Sequence, residues 1–147
     1  MARPVTPPVA ADVIIELTDR PGRPIVLIER RFEPLGWAIP GGFVDVGEAV
    51  EVAAVREALE ETCTSVELVD LLGVYSDPAR DPRGHTVGIV YVGRGSGQPV
   101  AADDAANLAI FDVDNLPDLL AFDHRKILDD YLCWREQDKT FIVSESD

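Results

Sequence analysis

Residues 48–63, EAVEVAAVREALEETC, hold neither glycine nor proline and are rich in good helix formers, so the segment reads as an α-helix. Its surroundings make it the feature that most narrows the fold. Just before it, RRFEPLGWAIPGGFVDVGE is broken by prolines and glycines and reads as an irregular loop. Residues 12–18, 25–29, 66–74, 86–92 and 108–113 are short runs rich in β-branched residues and read as strands. Residues 123–136 carry Ile127, Leu128, Tyr131 and Trp134 at three- and four-residue spacing, the pattern of a second, amphipathic helix. Helices interleaved with strands predict an α/β fold, a mixed β-sheet with helices packed on it.

A chain of 147 residues has room for one domain of ordinary size, expected over residues 12–137. Residues 1–11, rich in proline and alanine, are expected to form a loose arm, and residues 138–147 an acidic C-terminal tail. Thirteen basic residues against twenty-seven acidic ones give a net charge of −14, which repels the backbones of nucleic acids. No apolar run approaches the ~18 residues needed to cross a bilayer, and the first ten residues lack the apolar block of a secretory leader. The expectation is a cytoplasmic protein with neither nucleic acid nor membrane as a partner. Cys63 and Cys133 stand apart, without the spacing of a zinc or redox pair.

At about 100° per residue, Glu57, Glu60 and Glu61 fall on one side of the first helix, and Val52, Val55, Leu59 and Cys63 on the other, expected to anchor the core. Like charges three and four residues apart repel by a few tenths of a kcal/mol per pair on an exposed helix. Two explanations stand: a solvated face partly neutralised by Arg56, or a cation site. Clustered carboxylates without nitrogen or sulfur ligands suit Mg2+ or Mn2+, and Ala53, Ala54 and Ala58 beside them leave room for an anion.

The string GFVDVGEAVEVAAVREALEETC places Gly42, Glu48, Arg56, Glu57, Glu60 and Glu61 at fixed intervals, and there it resembles the Nudix box, the loop-helix-loop motif of the Nudix hydrolases. The resemblance implies a Nudix-like α/β/α sandwich, a mixed β-sheet with helices packed on both faces. It implies Glu57 and Glu61 as principal ligands of Mg2+ (or Mn2+), assisted by Glu60 and the carbonyl of Gly41, with Arg56 and Glu48 orienting the carboxylates by ion pairing. Metals held there would neutralise a diphosphate and activate a water. Asp103 and Asp104, in the region where related enzymes carry a general base, are read either as that base or as a solvated loop pair. Cys63 stands where the family has glycine and Thr64 where it has an aliphatic residue, which implies a different or strained exit from the helix.

Outside the box, IERRFEPLGWAIPGGFVD, GVYSDPARDPRGHTVGIVYV and LAFDHRKIL are similar to segments of small bacterial and archaeal ADP-ribose pyrophosphatases. The implied small-molecule nucleotide substrate is ADP-ribose, the products AMP and ribose 5-phosphate, and the implied assembly a homodimer. Arg30 and Arg83 could fork hydrogen bonds to phosphate, and Trp37 or Phe32 could stack on adenine. Against these stand a packed anchor for Trp37 and an ion pair with Asp81 for Arg83. His85 is read as a substrate contact or a hydrogen-bonded structural residue, and His124 as structural or at a subunit contact. Rival readings are a nucleoside triphosphate pyrophosphohydrolase, a non-catalytic ADP-ribose sensor and a purely structural acidic protein. The sensor would need a DNA-binding extension, and the structural protein leaves the spacing of Gly42, Glu48 and Arg56 unexplained.

Overall fold

The structure is a computed structural model that describes residues 2–102 and 105–146, with side chains to Asp138. Its elements are β1 (Val9–Leu17), β2 (Ile25–Arg30), β3 (Trp37–Ala38), β4 (Gly41–Phe43), α1 (Val50–Thr62), β5 (Glu67–Tyr75), β6 (Val87–Gly95), β7 (Ala105–Phe111) and α2 (His124–Ser146). The strands form one mixed sheet in the order β3-β2-β1-β6-β5, with β4 pairing β1 and β7 pairing β2. Only β1 and β6 run parallel, in register from Val9 opposite Val87 to Leu17 opposite Gly95; the other pairings are antiparallel.

Strand β1 is covered on both faces, which explains its nearly unbroken apolar run. Ala11, Val13, Ile15 and Leu17 pack with Val26 against Ala53, Ala54 and Ala58 of α1. On the other face Ile14 joins Ile25, Leu27, Val90 and Val92 in a core with Ile127, Leu128 and Tyr131 of α2. The expected α/β sandwich, with helices on both faces of a mixed sheet, is the observed fold.

Three expectations need correction. Strand β1 starts at Val9, so Val9, Ala10 and Ala11 belong to the sheet rather than to a loose arm. The proline- and glycine-rich loop contains two short strands, β3 and β4, because its backbone finds partners in β2 and β1 that sequence pattern cannot show. The core face of α1 is also not the expected one: Ala53, Ala54, Ala58 and Thr62 are buried, whereas Val52 and Leu59 are 55% and 50% exposed. The facing strand side chains are bulky, so a helix that offers alanines can approach closely and fill the space without voids. That rotation turns Glu57 and Glu61 toward β4. At the far end, α2 continues as helix past residue 136 to Ser146.

One edge of β1 has two partners. β4 lies along Ala10, Ala11 and Asp12, whereas β2 pairs with Ile15 and Glu16. Beyond that point β2 leaves β1 and pairs with β3 and β7. The sheet splays there. At its other end Glu16, fully buried, accepts hydrogen bonds from the Tyr131 hydroxyl at 2.6 Å, Arg94 Nε at 3.1 Å and Arg135 Nη1 at 3.2 Å. This ionic node ties α2 to the sheet.

Candidate active site

A cavity of about 440 Å³ opens at the splay. Its walls include Asp12 of β1, Arg30 of β2, Gly41 and Gly42 of β4, Glu57 and Glu61 of α1. Arg80, Asp81, Arg83 and Thr86 from the loop between β5 and β6 also face it, as do Phe122 and His124 at the start of α2.

Backbone and helix are fitted to each other at the carboxylates. A Cβ on Gly42 would overlap the Glu57 carboxylate, and one on Gly41 would overlap that of Asp12. Glycine is required at both positions for the strand to come this close. Arg56 organises the acids around it: it grips Glu48 with two hydrogen bonds of 2.7 and 2.9 Å, donates to Glu57 at 2.9 Å and to Glu60 at 3.1 Å, and reaches the Phe43 carbonyl at 3.1 Å. The Arg56 hydrogen bonds hold Glu48 down at about 2, while burial raises Glu57 above the ordinary carboxylate range despite the same arginine. Glu61 Oε2 accepts the Gly41 N–H at 3.4 Å. Glu60, exposed, is not part of the cavity wall. The helix leaves through Cys63 at φ +56°, whose N–H donates to the Leu59 carbonyl. The left-handed exit expected of glycine is therefore kept, with a side chain on it.

The guanidinium wall is equally ordered. Asp81, buried, holds Arg83 through contacts of 3.1 and 2.9 Å and takes its backbone N–H at 2.9 Å. Burial alone would raise Asp81, but these bonds from Arg83 bring it below its usual range. Arg83 and Arg30 both lie over the Phe122 ring, at 5.2 and 4.8 Å from its centroid. Arg80, almost wholly buried, is spent on Asp123 at 2.8 and 3.0 Å and on Thr86 at 3.0 Å. His124 accepts the Ile39 N–H on Nδ1 at 3.0 Å, and burial pushes it down to about 4, a neutral imidazole fixed by the fold. Asp12 is pushed up to about 7, by burial first and by the nearby Asp123 and Glu57, against the pull of Arg80.

The structure thus brings Glu57, Glu61, Gly41, Arg30, Phe32 and Arg83 of the expected residues to one cavity. Glu48, Arg56 and Glu60 stand behind its wall in the ion-pair cluster, and Trp37 and His85 lie apart from it. Trp37 packs edge-on against Phe111 at 5.1 Å in the α2-side core, the packed-anchor alternative. His85 is exposed and hydrogen-bonds the Ser76 carbonyl at 3.0 Å. Asp103 and Asp104 lie outside the described residues. Sequence reading missed Asp12, Arg80 and Phe122. Asp12 and Glu16 are acids in a strand otherwise apolar on both faces, a signal that could have singled them out; Phe122 carries no such mark, since its place depends on a positive φ of 55°.

The NUDIX domain profile matches residues 6–131. The chain belongs to the Nudix family. An ADP-ribose pyrophosphatase of Methanocaldococcus jannaschii is 48% identical to this Nudix chain over 132 residues, 88% of the chain and 75% of the relative. A protein of Bacillus subtilis named as a candidate 8-oxo-dGTP diphosphatase is 35% identical over 73% of the chain and 70% of its own length. Among solved structures, a MutT NUDIX hydrolase from Burkholderia pseudomallei superposes with a TM-score of 0.74 at 34% identity, covering 86% of this Nudix chain and 98% of that one. Among the described residues no helix is long and apolar enough to cross a membrane.

Proposed function

We propose that this Nudix protein hydrolyses the pyrophosphate bond of ADP-ribose to AMP and ribose 5-phosphate. The observation that carries the reading is one cavity walled both by the box carboxylates Glu57 and Glu61 and by Arg30 and Arg83, flanking Phe122. A nucleoside diphosphate derivative needs both: a place for cations against its diphosphate and a cationic, aromatic wall for its flanking groups. The 48% identity to an archaeal ADP-ribose pyrophosphatase supports ADP-ribose over a triphosphate.

Nudix hydrolases use a divalent cation. The donor set here consists of hard oxygens, suited to Mg2+ or Mn2+, and the glycine gap at Gly42 leaves the Glu57 carboxylate against β4. Among the described residues no three acids or histidines stand together as a finished cage, and Arg56 holds Glu57 and Glu60. Glu57 and Glu61 would hold the ion, with the Gly41 carbonyl and Glu60 assisting. When bound, it supplies charge neutralisation of the diphosphate and a water of lowered pKa. The chain's own part is positional: Glu48 fixes Arg56, Arg56 fixes the carboxylates, and Asp81 fixes Arg83. Asp103 and Asp104 stay in the proposal as general-base candidates, and a homodimer in the cytoplasm as its setting.

The test is a hydrolysis screen with Mg2+ or Mn2+ over ADP-ribose, other nucleotide sugars, dinucleotides and nucleoside triphosphates, with products identified. AMP and ribose 5-phosphate from ADP-ribose, at the highest kcat/KM of the set, is the expected result. Preference for a triphosphate, with release of pyrophosphate, would replace the reading by the nucleotide-pool alternative.

A further inference from the structure

We propose that Asp12 is a substrate contact that accepts hydrogen bonds from the hydroxyls of the terminal ribose, the sugar half of the substrate; this rests on the ADP-ribose reading above. Three observations converge on it. Asp12 is only 8% exposed, yet among the described residues no donor hydrogen-bonds its carboxylate. No sealed side-chain oxygen or nitrogen there lacks a partner, so an unbonded Asp12 oxygen must open onto the cavity it lines. A nearly enclosed carboxylate with no protein donor is costly, and it persists where a ligand entering the cavity completes it.

The neighbours of Asp12 explain why nothing in the protein satisfies it. Arg80 attracts it electrostatically, but the guanidinium is aligned by Asp123 and Thr86. Asp12 pairs with Gly41 in the β1–β4 ladder, one position along from the Ala11–Gly42 pair, and successive side chains of a strand point to opposite faces. Glu57 lies against Gly42 and Asp12 against Gly41. The two acids therefore stand on opposite sides of the β4 backbone.

The chemistry of the missing partner follows. At pH 8, where it is ionised, the Asp12 carboxylate only accepts hydrogen bonds. Phosphate oxygens have none to give, and the substrate's donors are its ribose hydroxyls and the adenine amine. The phenylalanines of the cavity, Phe32, Phe43 and Phe122, offer the base its stacking surfaces, and Arg30 and Arg83 lie over the Phe122 ring. A diphosphate at Glu57 and Glu61 then sends its base one way and its terminal sugar toward Asp12, Arg80 and Thr86. Two carboxylate oxygens match a pair of neighbouring hydroxyls.

The experiment compares wild type, Asp12→Asn and Asp12→Ala. Wild type is first assayed on ADP-ribose; failure to hydrolyse it overturns the functional reading and this inference together. With that activity in hand, ribose 5-phosphate and 2-deoxyribose 5-phosphate are compared as inhibitors. The wild type is expected to favour ribose 5-phosphate by about 10- to 100-fold, the worth of a hydrogen bond to a charged group. Asp12→Ala should abolish that preference, and Asp12→Asn should keep part of it. Folding is checked by circular dichroism, and the ratio of the two inhibition constants is insensitive to any common loss. A ratio unchanged in Asp12→Ala, or a wild type that does not tell the two sugars apart, overturns the inference and leaves the ADP-ribose reading standing.

Discussion

Asp12 and His124 bind protons in opposite senses across the same pH interval. Asp12 is moved from 3.8 to about 7, so between those values the folded protein binds the extra proton and stability falls as pH rises. His124 is moved from 6.5 to about 4; there the unfolded chain binds more protons and stability rises with pH. Each shift corresponds to on the order of 3–4 kcal/mol, and the two largely offset one another. Asp12→Asn should expose the histidine alone: stability above wild type at pH 8, then a loss on the order of 3 kcal/mol between pH 6.5 and 4. Urea denaturation at several pH values checks this, and a flat profile in the variant would contradict it. The box acids are expected to behave differently. Glu57→Gln and Glu61→Gln should each lower kcat with Mg2+ or Mn2+ by on the order of 10³-fold with an unaltered melting temperature; a fully active variant would show the metal site to be misplaced.

Helix α1 shows how far an element can be read from its residues. Its existence, its bounds within two residues and its row of acids follow from composition and spacing, because helix propensity and period are local properties. Its buried face does not. The larger apolar residues Val52 and Leu59 suggest one side, whereas the close-packed sheet selects the alanines, and that choice belongs to β1 rather than to the helix. The same distinction separates Glu57 and Arg30, legible from a motif and a charge, from Phe122 and Asp12, whose roles come from a positive φ and a strand pairing with residues far along the chain. Two substitutions test the element. Cys63→Gly should stabilise the protein by about 1 kcal/mol in thermal melts by removing the Cβ from a left-handed residue. Gly42→Ala should push the Glu57 carboxylate aside, lowering kcat about 10-fold or more and costing about 1–3 kcal/mol; unaffected kinetics would mean that Glu57 can move freely.

At the scale of the molecule, two ends of one sheet carry different kinds of polar chemistry. The cavity end lines a space that a ligand can enter with Asp12, Glu57 and Glu61. The other end closes Glu16 among Tyr131, Arg94 and Arg135, a node that holds α2 on the sheet. Removing its charge takes the fully buried acid from the partly buried Arg94 and Arg135, so Glu16→Gln should cost about 3 kcal/mol in urea denaturation. Activity of the folded fraction should not change, since none of these groups lines the cavity.

The parallel pairing of β1 with β6 joins residues 78 positions apart, Val9 beside Val87. On a ribosome, the first strand finds β2 and β4 early but must wait for most of the chain to be made before its parallel neighbour exists, and the loop carrying Arg80 and Thr86 cannot be seated until then. Catalytic competence in this protein is thus a late event of biosynthesis: a nascent fragment ending before β6 can form α1 with its acids, but it has no chamber in which to use them.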